Sequence, residues 1–461
     1  MFGVVAVGVL MATLDSSIVN VSLPAIARSF GVPLGGPIEW VVIAYLVAVA
    51  ALLLTVGRTA DIVGRKVVWA TGLGVFTVSS ALCGAAPSLG WLVVFRALQG
   101  LGSAGTMAVS PAMLVAAFPR EQRGRALGLN AVIVGLGVSL GPPLGGVLTQ
   151  HLGWRWIFYV NVPLGVAGVV ASMSLLPSER ASARERVDLV GAVLLAVGLG
   201  ALTAGLSFGS ELGWGSPALL GCAAVAVSGL AALVVHVRRT AQPLVDPALF
   251  RHRVFASASA SLLLGYAGTF AIAVLMPFYL EQLRGLPPEE TGLLLSPLPL
   301  TIALVSPFTG ALADRAGTRL LAAGGMFVAA CGLVWLARLD DASPLPRVVA
   351  NLLLIGAGQA AFQPPNNSAL MGAAPPERQG VAAGLLATGR VLGMSLSVAL
   401  AGALFGVFGG VEGARVLRGG ALSRDGTEAF LRGMHGALLG CALVALGASA
   451  AALVRGRDRR P

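Results

Sequence analysis

Two charges sit where a chain this apolar gives them little support: Asp15, in the first long hydrophobic run, and Arg96, in the fourth. An ionised side chain deep in hydrocarbon costs several kcal/mol, so each must be partnered, wetted or neutralised. Asp15 is therefore a group whose protonation its surroundings can set. At about 1.5 Å per residue, Asp15 lies about 21 Å from one end of its run and Arg96 about 9 Å from the opposite end of its own. Within a core about 30 Å thick those depths coincide. Both charges are expected to face one central cavity, with Gln99 and Asn20 nearby, and to influence each other's protonation and ligand affinity. The competing reading is a static ion pair that only locks helices together.

This is proton and binding chemistry, not bond-breaking. The chain has no Gly-Lys-Ser/Thr phosphate loop, no histidine cluster among its 4 histidines and no nucleophile with a base, so it does not read as an enzyme. Cys83, Cys222, Cys331 and Cys441 all fall in apolar runs without metal-like spacing, and no metal or organic cofactor is expected. Further polar groups lie in the second part of the chain. Gln359, Gln363 and Asn366 or Asn367 share one face by three-and-four spacing, which suits ligand contact or interhelical hydrogen bonding. Arg390 is a second cavity candidate, with snorkelling or an interhelical hydrogen bond as its alternatives. Glu39 and Glu281 fall near span boundaries and read as solvated loop ends rather than proton-entry groups.

The elements that must position these residues are membrane helices. Of 461 residues, 56% are hydrophobic and only 11% charged, and mean hydropathy is +0.86; this excludes a soluble globule. Apolar runs of about 20 residues recur from near 1–25 to near 430–454, roughly fourteen in all, and backbone satisfaction in lipid makes them α-helices. The longest polar interruption, about Val411 to Glu428, reads as a loop.

The chain repeats itself. Gly57 to Lys66 (GRTADIVGRK) returns in degenerate form as Gly310 to Arg319 (GALADRAGTR), and one offset of 256 residues carries Pro119, Glu121, Gly124, Gly137 and Ser139 onto Pro375, Glu377, Gly380, Gly393 and Ser395. The two copies of the loop are eight spans apart, so two helices near 188–237 are extra. The expected organisation is a six-helix bundle over 1–176, two linker helices with their loops over 177–253, and a second six-helix bundle over 254–461.

Arginine and lysine set the orientation. With the N-terminus inside, inside segments carry 20 of the 31 basic residues and outside segments 9. Both termini are expected in the cytoplasm, and the net charge of +11 answers to topology and anionic lipid rather than nucleic acid. No cleaved leader is expected, because the first run holds Asp15 and further spans follow directly; entry into the membrane at Met1 without a basic leader suggests an upstream start. At the repeated loop, Gly57, Asp61, Gly64, Arg65 and Lys66 read as a latch in which Asp61 caps or pairs with a neighbouring helix end, with Asp314, Gly317 and Arg319 as a weaker partner. A purely topological anchor is the plainer reading. In the fifth span, Gly137, Gly141, Pro142, Pro143, Gly145 and Gly146 remove bulk and backbone donors, which predicts a kinked helix with close neighbours.

Several of these motifs, in this order and spacing, resemble the major facilitator superfamily, specifically its drug:proton antiporter branch with fourteen spans. Leu14 to Pro24 (LDSSIVNVSLP) is similar to the first-helix signature, Gly57 to Lys66 to the loop between helices two and three, Arg96 to Gly102 (RALQGLG) to the helix-four motif, and Gly137 to Gly146 (GVSLGPPLGG) to the helix-five motif of antiporters. Trp154 to Phe158 (WRWIF) and Asn161-Val162-Pro163 add a further match. Thr59 and Ile62 depart from the usual loop pattern, which puts its full charge network in doubt. The resemblance implies a transporter in a bacterial plasma membrane that exports drug-like or antibiotic-like molecules in exchange for protons; an exporter or importer of one endogenous metabolite, or a non-transporting receptor or scaffold, is the alternative. Protons would be its coupling ion, small molecules and membrane lipids its partners, with no obligate protein partner evident. It also implies that the helix-five glycines form a pivot between halves; ordinary helix packing is the alternative.

Overall fold

The computed structural model describes residues 2–116, 123–176, 188–240, 247–375, 379–418 and 424–455. All regular structure among them is helical, and 14 helices are long and apolar enough to cross a membrane. The first six are α1 (Phe2–Phe30), α2 (Trp40–Val63), α3 (Arg65–Gly84), α4 (Leu89–Ala116), α5 (Arg123–His151) and α6 (Trp156–Leu175). Then come α7 (Leu189–Leu212) and α8 (Pro217–Arg239). The last six are α9 (Arg253–Leu283), α10 (Pro288–Leu295 continued by Pro297–Ala316), α11 (Thr318–Leu336), α12 (Leu345–Gly372), α13 (Gln379–Val407) and α14 (Arg424–Leu453).

Local chemistry explains where helices stop. α2 meets α3, and α10 meets α11, through a single residue each, Gly64 at φ 103° and Gly317 at φ 88°. Only glycine takes that conformation cheaply. In both turns the glycine N–H closes the preceding helix at 2.9 Å, onto the carbonyls of Ala60 and Ala313. The repeat seen in sequence is thus a repeat of backbone geometry. One expectation fails between α13 and α14: part of the segment read as a loop is a helix, Gly410–Arg418, packed on α14. Its apolar residues recur at helical rather than span-long spacing, so it lies outside any hydropathy-based span.

α1 to α6 pack among themselves, as do α9 to α14; the two groups meet along α2–α13, α5–α10 and α1–α9. The extra pair is central in sequence but peripheral in space. α7 lies across the α2–α13 seam, touching both, while α8 packs on α7 and leaves most of its surface outward. Asp188 caps α7 by accepting from Gly191 N at 2.8 Å and meets His236 Nε2 at 2.7 Å, tying the start of α7 to the end of α8.

Among the described residues, the buried apolar core is continuous between the groups at one end only. One cluster joins α1, α2, α9, α13 and α14 around Ile26, Ile38, Leu280, Phe405 and Phe430. Toward the Gly64–Gly317 end it continues within the second half, at Ala322 and Ala452, and two further clusters each lie within one half, one around Val5, Trp69 and Met113, the other around Leu249, Phe255 and Leu370. Polar contacts between the groups follow suit: Arg28 Nη2 meets Glu281 Oε2 at 2.8 Å and His151 Nε2 meets Glu289 Oε2 at 3.1 Å, both at the continuous end. Among the described residues, the halves are sealed at the Gly31–Gly285 end and parted at the Gly64–Gly317 end.

Candidate functional site

α1 passes between α5 and the rest of its bundle, and its rotation decides where Asp15 points. The α5 side fixes that rotation. A Cβ on Gly137 or Gly141 would collide with Thr13 or Ser17, and one on Gly145 would come within 2.8 Å of Ile18. Pro142 cannot donate to the carbonyl four residues back, at Val138; Ser17 Oγ donates to it instead, at 2.9 Å. Ser22 and Thr149 hydroxyls pair at 2.7 Å further along. With Thr13 and Ser17 committed to α5, Asp15 turns inward to α2, α3, α4 and α6.

There it meets Arg96 directly. Arg96 Nη1 donates to Asp15 Oδ2 at 2.8 Å, and the two side chains are 1% and 0% exposed. The other carboxylate oxygen accepts from Gln99 Nε2 at 2.9 Å and from Asn161 Nδ2 at 3.0 Å. Gln99 also accepts from Arg96 at 2.6 Å and donates to Ser80 Oγ at 2.7 Å. Arg96 Nε donates to the Val41 carbonyl at 2.9 Å, and its guanidinium lies 4.4 Å from the Tyr45 ring centroid. Five helices thus contribute to one closed polar knot. Burying both ions is costly, and only full hydrogen bonding offsets it.

The expected meeting of Asp15 and Arg96 therefore occurs, but inside the first bundle rather than on the wall of the space between halves. That wall is another face of α1, where exposure falls from Gly3 and Val7, through half-buried Leu10 and Leu14, to buried Val21. Asn161, Ser80 and Tyr45 belong to the knot as well. The signal for Asn161 was in the sequence, an amide within an apolar stretch two residues before Pro163. Asn20 lies outside the knot: its Nδ2 donates to the Ser16 carbonyl at 3.2 Å and its buried Oδ1 has no partner.

The remaining candidates sit elsewhere. Gln363 Nε2 donates to Gln359 Oε1 at 3.1 Å on α12. Asn366 is occupied structurally, donating to the Ala258 carbonyl at 3.0 Å and accepting from Arg455. Arg390, on α13, is half-buried, lies near the Tyr266 hydroxyl and keeps a buried Nε without a partner. At the repeated loop, Gly57 lies against Ala108, and Lys66 Nζ donates to the carbonyls of Met173 and Leu176, both at 2.7 Å. A cation thus caps the C-terminus of α6, as the helix dipole favours. Arg319 keeps a buried Nε without a partner, and the side chains of Asp61 and Asp314 lie outside the described residues.

The α5 motif divides its roles. Gly137, Gly141 and Gly145 face α1 within the first half, whereas Gly146 meets α10 at Pro288 and Glu289, and Gly292 of α10 sits on Pro142 and Pro143. Glu39 and Glu281 differ from expectation, since both are buried, 1% and 6% exposed. Glu281 lies in a π-helical turn, Tyr279–Leu283, that directs it at Arg28, and Glu39 enters the space left by Gly402. Closure of this end buries groups that hydropathy places at its water-facing border.

Known proteins share this architecture. The profile of the Major Facilitator Superfamily matches residues 5–398. The multidrug resistance protein Stp of Mycobacterium tuberculosis is 34% identical over 398 residues, 86% of this chain and 74% of its own. The riboflavin transporter RibZ of Clostridioides difficile is 33% identical over 403 residues, 87% of each chain. A crystal structure of a bacterial homolog of the human lysosomal transporter Spinster, inward-facing and unoccupied, superposes with a TM-score of 0.69 at 15% identity, covering 98% of this chain and 96% of that one. The chain is a multi-pass membrane protein that belongs to the Major Facilitator Superfamily, whose members are transporters and not enzymes.

Proposed function

We propose that the protein is a proton-coupled antiporter that exports drug-like or antibiotic-like small molecules from a bacterial cell. In this reading the Gly64–Gly317 end and both termini face the cytoplasm, and the structure is the inward-open state. Substrate enters between the parted halves, the halves rock about their contacts, and the Gly31–Gly285 end opens. Protons are the coupling ion and no other cofactor takes part.

The observation that carries this reading is the Asp15 knot. A proton on Asp15 cancels the charge that holds Arg96 and turns one of three hydrogen-bond acceptances into a donation. Arg96, Gln99 and Asn161 then aim donors at a group that no longer accepts them all. Because these side chains come from α4 and α6, their rearrangement shifts whole helices against α1, which packs on both α5 and α9. Proton occupancy and helix position are linked in this way. The similarity to a protein named for multidrug resistance supports the substrate class.

The test is gradient-driven flux in proteoliposomes with an imposed pH gradient, comparing native protein with Asp15→Asn at matched reconstitution. Flux lost in the variant while ligand binding persists is the expected result; undiminished flux removes Asp15 from coupling. A second reading, a carrier for one metabolite, draws on the similarity to a riboflavin transporter. Flux of riboflavin alone among a panel of candidates would select it.

A further inference from the structure

The second half holds an intramembrane cation with no matching acid. Arg390 lies eleven residues into α13, about 16 Å from the parted end, and Gln363, Gln359 and Tyr266 fall at about 14 to 20 Å on α12 and α9. α13 packs one face on α9, where Gly389 and Gly393 meet Leu262, Leu263 and Tyr266, and the opposite face on α2 and the turn before it, where Gly384 meets Leu54 and Gly402 meets Glu39. Arg390 belongs to a stripe between them. Along that stripe Ala383 is exposed, Ala387, Arg390 and Met394 are half-buried, and Val398, Ala401 and Phe405 are buried. The same gradient runs along the cavity side of α1, so Arg390 looks into the parted space about where it begins to close.

Within their spans the helices around that space offer it no carboxylate other than Asp15. Segments 253–280, 345–376 and 379–411 contain no Asp or Glu, α2 has none before Asp61, α10 has none between Glu290 and Asp314, and α14 has none after Glu428. Asp15 is already bound by Arg96, Gln99 and Asn161. A guanidinium in this setting, with a Tyr hydroxyl beside it and one buried N–H unmet, is a receptor for an anion. The first repeat has Val134 at the corresponding position, so the charge is not a demand of the fold.

We propose that Arg390, with Tyr266 and the Gln359–Gln363 pair, forms a subsite for an anionic group on the transported molecule, a carboxylate or acidic phenol on an otherwise apolar ring system. The inference rests on the transport reading above. Its test is equilibrium binding, without a gradient, of rhodamine B and rhodamine B methyl ester, which differ only in the free carboxylate. The protein is held in phosphatidylcholine nanodiscs so that no lipid carries net negative charge. Native protein should bind the acid about tenfold more tightly than the ester, Arg390→Gln should erase the difference, and Arg390→Lys and Asp15→Asn should keep most of it. Equal binding of acid and ester by the native protein, absence of rhodamine B binding, or a preference that survives Arg390→Gln overturns the proposal. If Arg390→Gln does not fold, phenylglyoxal modification of native Arg390, followed by mass spectrometry, must be slowed by rhodamine B and not by its ester. Loss of gradient-driven flux with this discrimination intact counts against proton exchange and not against the subsite.

Discussion

The two halves share a backbone plan and differ in how they treat charge. In the first, Arg96 is matched to Asp15 and every donor around the carboxylate is used. In the second, Arg390 faces half-open space with a hydroxyl neighbour and an unmet N–H. Gly64 and Gly317 make the same turn, and Gly137 and Gly393 make the same close approach to the first helix of their half. The halves therefore agree where side-chain bulk or backbone shape is critical and differ in their polar interior, with one closed charge pair and one open cation.

The sharpest way to break this comparison is to remove each arginine. Arg96→Ala strands a fully buried carboxylate and should cost about 3–5 kcal/mol. Arg390→Ala, which abandons no partner acid, should change the thermal unfolding midpoint in detergent far less. Comparable losses would mean that both charges are structural. Next in size is Gly292→Leu: its side chain has no room against Pro142 and Pro143, so the sealed end should no longer close. Spin–spin distances between labels at the tips of α5 and α10 should lengthen; an unchanged distribution would show that this contact is not what holds the end shut.

A smaller effect separates α1 anchoring from charge. Ser17→Ala leaves the Val138 carbonyl, freed by Pro142, without its donor and should cost about 1 kcal/mol in the same melts. The smallest belongs to Asp340, outside the spans. The Ser343 hydroxyl, with backbone N–H groups of Ala342 and Ser343, holds its carboxyl below the ordinary range. Its stabilisation is present above the unfolded value and fades as pH falls through the folded one, so Asp340→Asn should be slightly destabilising at neutral pH and neutral in acid. A response at Asp340 as large as that of Arg96→Ala would mean that the melts report solvent charge rather than the buried knot.

Much of this plan was legible because hydrocarbon punishes ambiguity. Runs of apolar residues, the repeat and the need of Asp15 and Arg96 for partners follow from the cost of bare polar groups in lipid. What escaped depends on rotation about helix axes. Nothing in composition says that α1 spends Thr13 and Ser17 on α5 and so points Asp15 away from the central space. Nor does hydropathy foresee that Glu39 and Glu281 are buried, because that follows from the halves closing on each other at one end. Asn161 was visible as an amide two residues before Pro163, yet its bond to Asp15 joins residues 146 positions apart.

The placement of α7 bears on how a molecule dissolved in the bilayer could reach the interior. Two sideways seams separate the halves, along α2–α13 and along α5–α10, and α7 shutters the first. A molecule coming sideways from the bilayer would meet α7 at the first seam and only α5 and α10 at the second, and the fourteen-helix plan is in that respect a handed one.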